Sequence, residues 1–250
     1  DVQMTLIDGD VVAEDGRALF EVEGTSYPEW ILNTMHLGRE ITPETFRIPA
    51  IDSDGEPLAG TTALVRVVEA IPGRVSNIER HMAVPVANGQ LLCDTGQDVL
   101  KAFVFERHHE TGTFGYGFPS GYGIHGALAQ TVAHDAHNLL VVGDNDEDMA
   151  IAANALVNCG GGAVAVQDGR VLGLVELPVA GLMSTKPLEE VASEVAGLER
   201  AWADMGCSMP SPFMTMGLTS LACLPDLRLT NRGLVDCNAF KFVPLVVDEE

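Results

Sequence analysis

Basic residues are scarce in this sequence. It has 14 lysines and arginines against 36 aspartates and glutamates, for a formal net charge of −22, and its lysines are Lys101, Lys186 and Lys241. A surface this acidic repels phosphate backbones and anionic headgroups, so nucleic acid polymers and membranes are poor partners. Adaptation to salt or solubility is the simpler explanation of the charge, and it implies no particular chemistry.

Long apolar runs and paired cysteines are also missing. No run approaches the roughly 18 apolar residues of a membrane-spanning helix. The chain shows no signal peptide and begins at Asp1 without an initiator methionine, which favours a processed or excised piece. Its five cysteines form no CxxC pair and are odd in number, which predicts reduced core thiols in a cytoplasmic protein.

The first 95 residues alternate short apolar runs with turn signals. Asp8-Gly9 and Glu14-Asp15-Gly16 separate three such runs, and Thr62–Ala70 is a longer β-branched segment. Asn88-Gly89 then divides two apolar runs in the manner of a hairpin. Residues 1–95 are therefore predicted to be a mostly β segment.

After residue 95 the apolar period changes toward that of helices. Four helices are predicted: a short one over Gly126–Ala133, one capped by Asp144 and ending at Cys159, one capped by Ser184 or Thr185 with Pro187 in its first turn, and one over Phe213–Leu221. Apolar runs at 101–105, 138–142, 163–166, 171–175, 227–229 and 240–247 are predicted strands. Residues 96–250 are thus predicted to form a mixed-sheet α+β domain, and the fold class is α+β.

The chemistry-bearing residues concentrate in one stretch, Phe103–Gly143. It contains five of the seven histidines, at positions 108, 109, 125, 134 and 137, and many glycines before residue 127. Apolar runs precede and follow it, which predicts two buried strands flanking a glycine-rich loop and a short helix. Enzymes commonly present polar side chains on such a loop above a rigid scaffold.

Two clusters stand out within that stretch. Glu106-Arg107-His108, followed by His109 and a glycine turn, suits either a small polar ligand or a structural ion pair. His134-Asp135-Ala136-His137 suits metal ligation only if further ligands arrive from elsewhere, and otherwise suits hydrogen-bonded anchoring of a loop.

Familiar catalytic motifs are absent from the rest of the stretch. Residues 112–123 hold neither a dinucleotide fingerprint nor a Walker sequence, and Ser120 does not lie in a GxSxG elbow. The acids of Asp144–Asp148 lack the spacing of a calcium loop, and a helix start explains them.

The motifs of the second half resemble the C-terminal region of bacterial and archaeal adenine deaminases. The resemblance runs from about Asp98 to Phe242, and Asp8–Ala13 more loosely resembles the family's small β-sandwich where the chain returns from an amidohydrolase barrel. The matching motifs are Glu106-Arg107-His108, Thr111-Gly112, Gly115, Gly117-Phe118, Gly121, Gly126-Ala127, Ala133-His134-Asp135, His137-Asn138, Val141-Val142-Gly143, Asp148-Met149-Ala150, Gly160-Gly161-Gly162, Leu177-Pro178, Ala180-Gly181-Leu182-Met183-Ser184, Pro212-Phe213-Met214 and Thr230-x-Arg232-Gly233-Leu234.

The resemblance implies hydrolytic deamination of adenine to hypoxanthine and ammonia at a dinuclear manganese or iron site in a (β/α)₈ barrel. The ligands that it implies begin with a His-x-His pair, which this chain lacks, and the barrel alone would need all 250 residues. The metal site is therefore expected on a barrel half outside this chain, in the same polypeptide or in a separate one. We expect the chain alone to be inactive and the complete cytoplasmic enzyme to be a homo-oligomer.

Six residues of the two clusters are candidates for an active-site lid or for substrate contact, because both clusters lie at the ends of apolar strands and glycine-rich backbone allows close approach to a ligand. We expect Glu106, Arg107, His108, His134, Asp135 and His137 to converge in one polar cluster facing the barrel mouth. His134 and His137 are the metal candidates of this chain, although no metal is expected on it alone, and His109 receives no role. A purely structural hydrogen-bonded cluster remains the alternative for these residues.

Two other functions stay open from the sequence. One is a free-standing, non-catalytic module that binds purines or regulates another protein. The other is an independent metal hydrolase that uses His134, Asp135 and His137.

Overall fold

Among the residues that the structure describes, the fold consists of one large sheet, two small sheets and helices on both faces of the large sheet. The structure is a computed structural model and describes residues 2–21, 24 and 26–247. In chain order the elements are β1 Met4–Ile7, β2 Asp10–Glu14, β3 Arg17–Ala18, α1 Glu29–Leu32, β4 Ile48–Pro49, β5 Thr62–Ala70, β6 Asn77–Ala87, β7 Gln90–Leu91, β8 Lys101–Phe105, β9 Phe114–Ser120, β10 Ala127–Gln130, β11 Leu139–Gly143, α2 Asp146–Cys159, β12 Gly162–Gln167, β13 Arg170–Glu176, α3 Leu188–Asp204, α4 Pro212–Leu218, β14 Leu227–Thr230, β15 Gly233–Asp236 and β16 Lys241–Val243.

The large sheet has ten strands in the order β13-β12-β10-β11-β8-β9-β5-β6-β7-β4. Its pairings are antiparallel except for β5 with β9, which run parallel. With helices packed on a mixed sheet, the predicted α+β class is confirmed. Strands from both sides of residue 95 belong to this sheet, and the division into domains 1–95 and 96–250 stays a prediction.

The middle of the sheet is buried on both faces. In β8, Phe103 and Phe105 pack in the cluster that includes α2, whereas Ala102 and Val104 pack in the cluster that includes α3. A strand buried on both faces needs apolar side chains in both directions, so it becomes a continuous apolar run without alternation. This explains why residues 101–105 and 139–142 are easily recognised in the sequence.

The predicted helices over 144–159 and 213–221 are confirmed in position, but the predicted cap at Asp144 is wrong. Asn145 caps α2 by accepting a hydrogen bond from the Asp148 N–H, and Gly160 ends the helix at φ 83°. Asp144 instead accepts the Gly126 N–H at 2.9 Å. This hydrogen bond joins the residue before β10 to the residue after β11.

The helix predicted after Thr185 forms as α3, again with a different cap. Pro187 is the N-cap residue, and no side chain caps the helix. The Ser184 hydroxyl accepts the Lys186 N–H at 3.1 Å and so lies in a turn before the helix.

Two predictions within the stretch 112–133 are wrong. Residues 127–130 form strand β10, not a helix, because β11 and β12 pair with both of its edges and all four residues are buried. The predicted glycine-rich loop is largely strand β9. A run of three apolar residues does not distinguish a buried strand from a helical turn, so tertiary pairing decides.

The N-terminal strands form their own three-stranded sheet, β1-β2-β3, as the Asp-Gly turns predicted. Its apolar side chains are largely exposed, with Leu6 at 54% and Ile7 at 57%. Within the described part of the chain, no helix is long and apolar enough to cross a membrane. All five cysteines are free thiols.

Glycines in β9 allow the third sheet, β14-β15-β16, to pack closely against the large one. A Cβ built on Gly115 would overlap the Thr230 carbonyl oxygen, and one on Gly117 would lie 3.2 Å from a Leu234 methyl group. The glycine content of residues 112–123 therefore reflects close packing of a second layer of backbone.

We expect Gly115→Ala to lower the free energy of unfolding by about 1–3 kcal/mol, because the new methyl group overpacks the contact between the sheets. The matched control is Gly197→Ala, in the interior of α3, where the nearest atom to a new Cβ is the Arg200 guanidinium at 3.9 Å. That change should raise stability by about 0.5–1 kcal/mol. Urea unfolding of both variants checks the prediction, and equal effects would contradict it.

Candidate functional site

Strand pairing brings the two predicted clusters to the same edge of the sheet. β8 and β11 are antiparallel neighbours, with Phe105 opposite Leu139. The residues that follow β8 and those that precede β11 must therefore emerge side by side. We call residues 106–113 the first loop and residues 131–138 the second loop.

Arg107 is the centre of this region and is only 1% exposed. Its Nε donates to the His137 carbonyl at 2.6 Å, Nη1 to the Thr34 carbonyl at 2.9 Å, and Nη2 to the Ala180 carbonyl at 2.9 Å. Burial lowers the pKa of Arg107 to about 10, against the attraction of Glu106. The side chain remains a cation at neutral pH and joins three segments that are distant in sequence.

The Glu106 carboxylate accepts hydrogen bonds from other residues of the first loop. It accepts the His108 N–H at 2.6 Å, the His109 N–H at 3.2 Å and the Thr111 hydroxyl at 3.0 Å. Burial raises the pKa of Glu106, but these hydrogen bonds favour the charged form more strongly and bring the pKa down to about 2. Glu106 is thus a fixed anion with most of its acceptor capacity used within the loop.

The histidines of the first loop differ in their surroundings. His108 Nε2 lies 2.8 Å from the Ala136 carbonyl and donates to it, which adds a second link between the loops. The His109 side chain is 78% exposed, with Nδ1 at 3.2 Å from Glu106. His108 therefore fixes the second loop, whereas His109 lies mainly in solvent.

The second loop carries an imidazole whose hydrogen bonding is incomplete. The rings of His134 and His137 lie 5.3 Å apart at an angle of 68°. His137 Nδ1 is buried and finds no hydrogen-bond partner among the residues that the structure describes. Burial lowers the pKa of His137, the charges of His134 and Arg107 lower it further, and Asp135 opposes them. The His137 imidazole is therefore neutral at pH 7, and its Nδ1 is available for a hydrogen bond.

The second loop does not fit a metal centre. In the described ranges, no group of three or more histidine, cysteine, aspartate or glutamate side chains is placed to hold a metal ion. Asp135 is exposed and lines a cavity next to the loop. The two histidines and Asp135 therefore fall short of the ligand set of even one structural zinc site.

The cavity has a volume of about 390 Å³. Its walls combine the second loop with segments from the C-terminal end of the chain, including Ser220, Cys223, Arg232 and Phe242. Asn138, only 4% exposed, is also in the wall, and its Oδ1 has no hydrogen-bond partner within the described part of the chain.

The structure thus brings the six predicted residues into two adjoining loops, mostly through contacts of side chain to backbone. Arg107 and His108 contact the backbone of the second loop, whereas the Glu106 carboxylate contacts its own loop. Whether these residues form a lid or contact substrate stays a prediction. The cavity was missed from the sequence, although Asn138 and Arg232 belong to the quoted motifs.

Replacing Glu106 by glutamine should lower the free energy of unfolding by about 1–3 kcal/mol at pH 7, because several donors lose a charged acceptor. The pKa of Glu106 is depressed from 4.5 to about 2, so its stabilising contribution is complete above pH 4.5 and is lost as the pH falls toward 2. The variant should therefore lose stability less steeply than the original protein across that window.

Urea unfolding between pH 2 and pH 7 measures this effect. Glu110→Gln, an exposed position in the same loop, is the matched control and should behave like the original protein. Parallel curves for the original protein and Glu106→Gln would refute the assigned pKa.

The sequence of this chain is similar to the sequences of known proteins. Residues 75–241 match the family model of the adenine deaminase C-terminal domain. An adenine deaminase of Clostridium botulinum (strain ATCC 19397 / Type A) is 58% identical over all of this chain and 41% of its own length. Those of Moorella thermoacetica and Dehalococcoides mccartyi (strain ATCC BAA-2266 / KCTC 15142 / 195) are 48% and 38% identical, each over 98% of the chain. The chain spans about two fifths of the length of these relatives. It belongs to the adenine deaminase C-terminal domain family.

Proposed function

We propose that this chain is the C-terminal portion of an enzyme that hydrolyses adenine to hypoxanthine and ammonia. The observation that carries the proposal is the family match over residues 75–241, together with relatives that are named adenine deaminases. Because the chain spans only about two fifths of those relatives, the remainder of each relative has room for a separate catalytic domain.

The metal of the reaction belongs, in this proposal, to an amidohydrolase barrel outside the chain. Manganese or iron is the proposed metal, and a pair of such ions would supply, when bound to the barrel, a water activated for attack on the purine ring. The described residues lack a group of metal ligands, so they do not support an independent metal hydrolase built on His134, Asp135 and His137. The complete enzyme is proposed to be a cytoplasmic homo-oligomer.

The two loops are proposed to form the part of this chain that faces the barrel mouth. Arg107, Glu106 and His108 act as positioning residues, because their polar groups are already bonded within and between the loops. His134, Asp135 and His137 are the proposed substrate-facing residues. Supporting this division, Asp135 is exposed and His137 carries an unpartnered nitrogen.

If the second loop contacts substrate, His134→Asn in the complete enzyme should lower kcat/KM about tenfold, which corresponds to a loss of about 1.4 kcal/mol of transition-state stabilisation. Metal content and melting temperature should stay close to those of the original protein. His125→Asn is the matched control, because His125 precedes β10 whereas His134 follows it, and its side chain is 68% exposed.

The structural alternative gives a different pattern for the same variant. A lower melting temperature or insolubility, with unchanged turnover per folded enzyme, would reject substrate contact. In either case, an unchanged metal content shows that the metal site of the barrel is intact.

The location of the metal site gives a second expectation. The purified 250-residue chain should release no ammonia from adenine above a buffer control, even with added Mn²⁺ or Fe²⁺, because no group of metal ligands occurs among its described residues. Addition of the barrel portion should restore metal-dependent release. Ammonia production by the chain alone would overturn the proposal that catalysis resides outside it.

A further inference from the structure

The wall of the cavity beside the second loop carries a buried polar group that is available to a ligand. Asn138 is 4% exposed, it stands in the cavity wall, and its Oδ1 has no hydrogen-bond partner among the described residues. A buried amide oxygen without a partner is destabilising, and native proteins rarely leave one unsatisfied. The side-chain amide of asparagine both donates and accepts, so it suits a ligand that presents a donor next to an acceptor.

The walls of the cavity favour a flat ring as the rest of that ligand. Val104, Ala133 and Val235 supply apolar surface, and Phe242 is an aromatic side chain that is 54% exposed. The Arg232 guanidinium lies 5.4 Å from the Phe242 ring centroid, so two planar groups border the same space. Aromatic rings and guanidinium planes both stack on nucleobases.

The size and charge of the cavity fit a free base. A volume of about 390 Å³ falls in the range of small-molecule sites. The wall carries one carboxylate, Asp135, and one guanidinium, Arg232, so its formal charges cancel and suit a neutral ligand such as a free base.

We propose that this cavity binds a purine base, with the Asn138 amide on an edge of the purine that pairs an amino group with a ring nitrogen and with Phe242 against its face. Asparagine recognises the amino group and N7 of adenine in this way. The proposal rests on the proposed function, which supplies the purine, and adds a binding site on this chain itself.

Equilibrium dialysis of adenine against the 250-residue chain tests the proposal. EDTA is present throughout, so that no metal-dependent turnover takes place. Saturable binding at one site per chain is expected. Phe242→Ala should weaken Kd about tenfold through the lost stacking contact, whereas Phe240→Ala, a 92% exposed neighbour outside the cavity, should leave Kd unchanged.

Asn138→Leu should also weaken adenine binding at least about tenfold, because the bidentate contact is lost. Its matched control is Asn77→Leu, another buried asparagine with an unpartnered amide, which lies in β6 and not in the cavity wall. Circular dichroism checks that both variants are folded. If either asparagine variant is unfolded, the comparison of Phe242→Ala with Phe240→Ala decides the outcome.

Two results would overturn the proposed site. One is the absence of saturable binding up to the solubility limit of adenine, and the other is an unchanged Kd in Phe242→Ala. Deaminase activity of the complete enzyme is measured separately, with metal present. A failure of binding with intact turnover would reject this site alone, and binding without any turnover would reject the proposed function instead.

Discussion

The region of interest depends on one buried cation. The Arg107 guanidinium holds the carbonyls of Thr34, His137 and Ala180, which come from three separate parts of the chain. Gly181 has no side chain at the point where a Cβ would lie 2.8–2.9 Å from the guanidinium atoms. A lysine would supply the same charge, but its single ammonium lacks the planar set of donors needed to reach three carbonyls at once. The second loop therefore takes its position from the shape of arginine as well as from its charge.

The two loops differ in how far their polar groups are already hydrogen-bonded. In the first loop, Glu106 is bonded to its own backbone, which makes that loop a rigid unit at neutral pH. In the second loop, His137 Nδ1 and Asn138 Oδ1 are adjacent in sequence and both lack partners among the described residues. Buried unsatisfied groups are costly, so two in succession indicate a segment shaped for something other than stability alone. The rigid first loop supports the segment that retains free hydrogen-bonding capacity.

Local sequence predicted the parts of the fold that local interactions decide. Asp-Gly and Asn-Gly turns, the long strand β5 and the apolar faces of α2 and α3 follow from residues that are close in the chain. β10 was mistaken for a helix because its two partner strands, not its own four residues, determine its conformation. The meeting of the two loops was predictable from strands that flank them. The cavity was not, since its wall joins Asn138 to Phe242, about a hundred residues later.

The parallel pairing of β5 with β9 has a consequence for synthesis of the chain on the ribosome. β5 ends at Ala70, and β9, which pairs with Val67–Glu69 on its second edge, begins only at Phe114. Leu64 and Arg66 are bonded on that edge to Val247 and Leu245. Until β9 and residues 245–247 have been made, the hairpin of β5 and β6 leaves N–H and C=O groups on that edge unpaired. Such edges recruit strands from other chains. A nascent chain of this protein therefore carries a strand edge open to self-association until residues 245–247 have been made, and a chaperone that shields strand edges would act over that interval.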